Sequence, residues 1–159
     1  SLGQCYNHAK MSLGQCYNHA KTDDDDNVHI WISGSCASSK IDLIIHDKYS
    51  DCYYCIVELF IESSILIRIP TRIKYMVSLK SLEISHSQLS ESSFPMEGRF
   101  PHLATMNLSN NRIKNLTDKF FADFFINMTK LRYIDLSHNH IDSTFTWMSV
   151  FNHSKFQLH

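Results

Sequence analysis

The chain has 159 residues, 43 % of them apolar, and a formal net charge of −1. That length suits one domain with a modest core, and the near-zero charge excludes a whole-chain attraction to nucleic acid or anionic membrane. No run approaches the ~20 apolar residues that a membrane span requires. The charge is uneven, however. Residues 22–62 carry nine acids against Lys40 and Lys48, and residues 63–159 carry seven acids against eleven Lys and Arg. An asymmetry this mild reads as solvated faces.

The start, SLGQCYNHAK, lacks the apolar stretch of a signal peptide. This leaves either a cytoplasmic protein or a mature or partial chain. Residues 1–10 recur unchanged at 12–21, with Met11 between them, as a recent tandem duplication would leave them. Each copy holds C-x-x-H, so Cys5, His8, Cys16 and His19 form a conceivable zinc set. No hairpin or helix pattern separates them, and duplication alone accounts for the symmetry. The run TDDDDN follows. A calcium loop starting at Asp23 needs Gly at 28 and Glu at 34, where the chain has Val28 and Gly34. Clustered like charges favour an open chain, so residues 1–27 are expected to form a disordered tail.

Residues 28–55 are expected to cap the domain, with KIDLIIHD at 40–47 as a strand turning Leu43 and Ile45 inward. Five cysteines are present (Cys5, Cys16, Cys36, Cys52 and Cys55), and an odd count leaves at least one thiol free or paired to another chain. Cys52 and Cys55 have redox C-x-x-C spacing, but that motif acts at a helix N-terminus, and here it runs into a strand pattern. Zinc held by Cys16, His19, Cys52 and Cys55 is a further open arrangement; no metal or other cofactor is expected.

From residue 56 one rhythm takes over. IVELFIESSIL at 56–66, LKSLEISHSQL at 79–89, LATMNLSNNRI at 103–113 and LRYIDLSHNHI at 131–141 place apolar residues at the first, fourth, sixth and eleventh positions. The units open at Ile56, Leu79, Leu103 and Leu131, a spacing typical of stacked repeats. Asn111 and Asn139 fill the ninth position, where an amide can satisfy backbone groups opened by a turn. Ser64 and Ser87 stand there in the first two units. The third unit is longer, and its TDKFFADFFINM has helical spacing at Phe120, Phe121, Phe124, Phe125 and Met128 behind Thr117 as N-cap. This stripe reads as core packing. NMTKL at 127–131 is mirrored by NHSKF at 152–156, so Phe156 is expected to open a fifth unit that is cut short.

Residues 56–159 resemble the leucine-rich repeat family, L-x-x-L-x-L-x-x-N-x-L, of the extracellular animal type that includes Toll-like receptor ectodomains. The resemblance implies an α/β solenoid of about four repeats plus an N-terminal cap. Short parallel strands would line the concave face, with loops and short helices on the convex face. It implies non-catalytic recognition of a protein or other macromolecule, outside the cell or at its surface, as part of a longer protein. The concave candidates are Glu58, Phe60, Glu62, Glu83, His86, Arg132, Tyr133, Asp135 and His138, with Tyr133 and Arg132 the strongest by residue type. Val57, Ser63 and Ser85 are also expected to face outward. Extracellular relatives carry cap disulfides, for which Cys16, Cys36, Cys52 and Cys55 are candidates. Asn107, Asn115, Asn127 and Asn152 begin N-x-[ST] sequons. An open C-terminal end offers a route to homo- or hetero-oligomers. The alternatives are an intracellular repeat scaffold or inhibitor with reduced thiols and unused sequons, and a fragment without a function of its own.

Overall fold

The computed structural model describes residues 11–13, 16–94, 99–115, 125, 128–142 and 157–158. Its centre is one eight-stranded sheet whose spatial order follows the chain. Strands β1 (Met11–Leu13), β2 (Cys16–Thr22) and β3 (Val28–Gly34) form an antiparallel meander. Helix α1 (Ser38–Tyr49) then carries the chain over to β4 (Ile56–Ser63), which pairs parallel with β3. Strands β5 (Ser81–Ser85), β6 (Thr105–Asn107), β7 (Tyr133–Asp135) and β8 (Gln157–Leu158) continue the parallel ladder.

The repeat spacing of the sequence is the register of this ladder. Leu59 pairs with Leu82, Leu82 with Met106 and Met106 with Ile134, each the fourth residue of its unit. Alternation along each strand sends Leu59, Ile61, Leu82, Ile84, Met106 and Ile134 into one continuous core. Leu66, Leu89 and Ile113, the last apolar residues of the first three units, are also buried, and Ile141 of the fourth is partly buried against the core. Backbone bonds tie these positions to the next unit: Gln88 N–H to Leu66 O (2.8 Å), Arg112 N–H to Leu89 O (2.7 Å) and His140 N–H to Ile113 O (2.9 Å). Strand β8 pairs Gln157 with Tyr133, one residue short of the offset that aligning NHSKF with NMTKL implies.

The sequence reading of the front end needs correction in three places. Residues 16–22 are not an open tail; they are β2, paired with β3 over its whole length. The Asp run is the β2–β3 turn, in which Asp23 accepts from the Asn27 and Asp25 amides at 2.9 and 3.0 Å. Residues 40–47 are not a strand but most of α1. Its buried residues Ile41, Ile44, Ile45 and Tyr49 lie on one helical face, and Leu43 is 55 % exposed. The Asp42 carboxylate ties the helix to the first return segment, accepting from Thr71 N–H (3.1 Å), Thr71 Oγ (3.0 Å) and Arg72 N–H (2.8 Å).

In the long third unit, Phe125 and Met128 are buried, and Phe125 lies 6.5 Å from Phe94, ring centre to ring centre. The readings for Thr117, Phe120, Phe121, Phe124 and Phe156 fall outside the described residues, as do Cys5 and His8.

Candidate recognition surface

The side chains opposite the core form rows across the sheet, fixed by register. One row runs Lys21, His29, Glu58, Ser81, Thr105 and Tyr133. The next runs His19, Trp31, Phe60, Glu83, Asn107 and Asp135, and a third Tyr17, Ser33, Glu62 and Ser85. Glu58, Phe60, Glu62, Glu83, Tyr133 and Asp135 therefore share one face. Strands β2 and β3 extend it with residues that the repeat motif could not indicate.

Trp31 is the main addition. It stacks on Phe60 of the neighbouring strand with ring centres 5.5 Å apart and planes 13° from parallel. His19 lies 5.6 Å from the indole on one side and His29 6.3 Å away within its own strand. Beside the stack is a hollow of about 420 Å³ lined by Trp31, Ile32, Ser33, Phe60, Ile61, Glu62 and Glu83.

His29 joins the turn to the sheet. Nδ1 lies 2.7 Å from Glu58 Oε2 and Nε2 lies 3.0 Å from Asp23 Oδ2. Partial burial works against charge on the ring, but hydrogen bonds to Asp23 and Glu58 outweigh it and raise its pKa above 6.5. The hydrogen bond from His29, then those from Asn27 and Asp25, hold the Asp23 carboxyl well below its usual range.

Other expected face residues have structural duties. His86, Asn110 and His138 occupy one column at the strand exits, all with left-handed backbone (φ of 49°, 56° and 54°). His and Asn tolerate this region better than most residues. His86 and His138 are exposed there, past the strands rather than on them. Arg132 is exposed, but its guanidinium donates to Thr129 O (3.1 Å) and Leu131 O (3.0 Å), so it is held at its own turn. Asp135 Oδ1 accepts from Ser137 N–H, and Asn107 Oδ1 likewise from Ser109 N–H, both at 2.9 Å.

Val57 and Ser63 are buried, contrary to expectation, and Ser85, although on the strand face with its Oγ donating to Glu83 Oε1, is buried as well. Val57 is the extra residue of a bulge, since Val28 pairs with Ile56 and His29 with Glu58. Ser63 Oγ both donates to Cys36 O and accepts from Cys36 N–H at 2.8 Å.

Of the candidate cysteines, Cys16 and Cys36 form a disulfide, Cys52 is disulfide-bonded, and Cys55 is a free, buried thiol. Cys52 and Cys55 are thus no dithiol pair, and Cys16 is not available as a zinc thiolate. Among the described residues, no group of three or more His, Cys, Asp or Glu is placed to hold a metal ion, and no helix is long and apolar enough to cross a membrane. Of the sequons, Asn107 is half-buried on β6, Asn115 is exposed, and Asn127 and Asn152 lie outside the described residues.

Asn111 and Asn139 complete the repeat geometry. Asn111 Nδ2 donates to Ile84 O, Leu108 O and Ser109 O, and its Oδ1 accepts from Leu89 N–H. Asn139 repeats the pattern one unit on, toward Leu108 O, Leu136 O, Ser137 O and Ile113 N–H. Residues 101–148 match the leucine rich repeat family model. This supports a leucine-rich-repeat family for the chain. No curated protein gives a significant match. The matched stretch spans β6 and β7, and the repeat geometry extends outside it, through β4 and β5, with Ser87 in the Asn column. There Ser87 Oγ donates to Ser85 O (3.0 Å) and accepts from Ser63 N–H (3.3 Å).

Proposed function

We propose that the chain is part of an extracellular leucine-rich-repeat solenoid, resembling Toll-type receptor ectodomains, with about four repeats behind an N-terminal cap. Its role is non-covalent recognition of a protein ligand on the exposed face of the strands. One observation carries the reading: polar and aromatic side chains from β2 to β7 stand in register on one face, all but Ser85 exposed or half-buried. Repeat stacks use such extended faces for binding. The Cys16–Cys36 disulfide fits an oxidising compartment.

The test uses protein from its natural source. Mass spectrometry without reduction is expected to find the Cys16–Cys36 peptide pair and glycan on Asn115. Free thiols at both cysteines with bare sequons would place the protein inside the cell as a scaffold. Cross-linking on intact cells is expected to join an external protein to the strand face. Cross-links confined to the opposite side would overturn the recognition surface.

A further inference from the structure

The hollow beside Trp31 and Phe60 combines three features: a stacked aromatic pair, an open depression and carboxylates without counter-ions among the described residues. Trp31 covers one face of the Phe60 ring from β3. On the other side of Phe60 its cross-strand neighbour is Glu83 of β5, and both line the hollow. Glu62 lies two residues along β4, on the same side of the sheet. No lysine or arginine lines the hollow.

The fates of the three nearby carboxylates differ. Glu58 is engaged by His29 at 2.7 Å. Glu83 accepts only a neutral hydroxyl, from Ser85 at 2.9 Å. Glu62 is exposed, and among the described residues neither it nor Glu83 has an ion-pair partner. Two like charges beside a π face leave a site of negative potential, which a cation relieves. Trp31 is 37 % exposed, so the hollow opens outward to a projecting side chain.

From this geometry we infer that the Trp31–Phe60 hollow is a subsite for an arginine side chain of the protein ligand. A planar guanidinium can lie against the exposed part of the half-buried Phe60 ring while its N–H groups meet Glu83 and Glu62, which line the same hollow. A lysine ammonium lacks both the plane and the fork that this arrangement uses. The inference deepens the proposed recognition function and rests on it, and it names the chemistry that one part of the face selects.

The test uses the 159-residue chain and three blocked peptides of alternating glycine with arginine, lysine or citrulline. Citrulline keeps the shape of arginine and removes its charge. Binding is read from Trp31 emission, with Trp31→Phe as the control that assigns the signal. The arginine peptide is expected to bind at least about tenfold more tightly than the citrulline peptide, a ratio equivalent to ~1.4 kcal/mol, and more tightly than the lysine peptide. Glu83→Gln and Glu62→Gln are each expected to weaken it several-fold. Both side chains lie outside the core, so unchanged thermal unfolding separates lost binding from lost fold. Phe60→Leu keeps an apolar side chain, removes the π face, and is expected to narrow the gap between arginine and lysine. Equal binding of arginine and citrulline, or no loss in the Glu62→Gln, Glu83→Gln double variant, overturns the subsite. Tighter binding of tetramethylammonium than of the arginine peptide also overturns it. If the subsite fails while external cross-links still map to the strand face, the recognition function stands. If the peptide binds as expected but no cross-links reach that face, the reverse holds.

Discussion

Asn111 and Asn139, at the same place in successive units, both donate to the carbonyl oxygen of Leu108, at 3.0 and 2.9 Å. One amide belongs to the unit of Leu108 itself and the other reaches back from the next unit. The asparagine column therefore turns each chain segment and also fastens neighbouring units together. Asn111 is almost fully buried, so its replacement strands groups away from water.

Asn111→Ala is expected to cost about 3 kcal/mol, because the buried Leu89 N–H loses its acceptor and three carbonyls lose a donor. Ser87→Ala, in the same column, loses one donated and one accepted bond and is expected to cost about 1 kcal/mol. Urea unfolding checks both. Equal losses would mean that the Asn column adds nothing to what a serine provides.

The Asp23–His29–Glu58 bridge makes stability depend on pH in both directions. The raised His29 pKa stabilises the fold below 6.5, and that contribution is lost as pH rises through the folded value. The lowered Asp23 pKa stabilises it above 3.8, and that contribution is lost as pH falls through the folded value. The difference in stability between the wild-type chain and His29→Gln is expected to be largest between the two windows, near pH 5, and to shrink as pH rises through the folded value of His29. Thermal unfolding across that range measures it, and a difference independent of pH would show that the ring stays neutral.

The left-handed column predicts an unusual tolerance. His138→Gly is expected to be nearly neutral, and Asn110→Gly likewise, since glycine enters this region freely. His138→Val is expected to cost about 1–2 kcal/mol, because a β-branched side chain collides with its own backbone there. Urea midpoints of the three variants decide the matter, and a harmless valine would show that the turn can relax.

The cysteines separate by chemistry. Replacing Cys16 and Cys36 together by alanine is expected to cost about 3 kcal/mol through the freedom returned to the unfolded chain. Cys55 is 7 % exposed, so its alkylation in the oxidised protein is expected to be slow and to accelerate with denaturant in step with unfolding. Rapid labelling of the native protein would contradict its burial.

The parallel ladder was legible in the sequence because one rule repeats: Leu59, Leu82, Met106 and Ile134 each face the core at the same place in their unit. The cap obeys no such rule. Ile41, Leu43 and Ile45 alternate like a strand, while Ile41, Ile44 and Ile45 fit a helix equally well. In so short an apolar run only the packing partner decides; here Asp42 and the segment after Pro70 favour the helix. Trp31 carries no sequence signal of its role for a related reason. Its neighbour Phe60 is set by the pairing of β3 with β4 across α1, and that register, with its bulge at Val57, follows no period. Arg132 and Tyr133 stood out by residue type, but the Thr129 and Leu131 carbonyls that hold the guanidinium are backbone groups, which no residue preference signals.

The three steps that lead from Leu59 to Leu82, to Met106 and to Ile134 differ in length, yet each returns the chain to the same place beside the previous strand. The extra residues of the long step fall between β6 and β7, where Phe125 and Met128 add to the core from behind. Insertions and deletions in the return segments can therefore accumulate through gene history without moving any residue of the strand rows relative to its neighbours. The two sides of the sheet are free to change at different rates, so the back of the molecule can diverge in length while the front keeps its spacing.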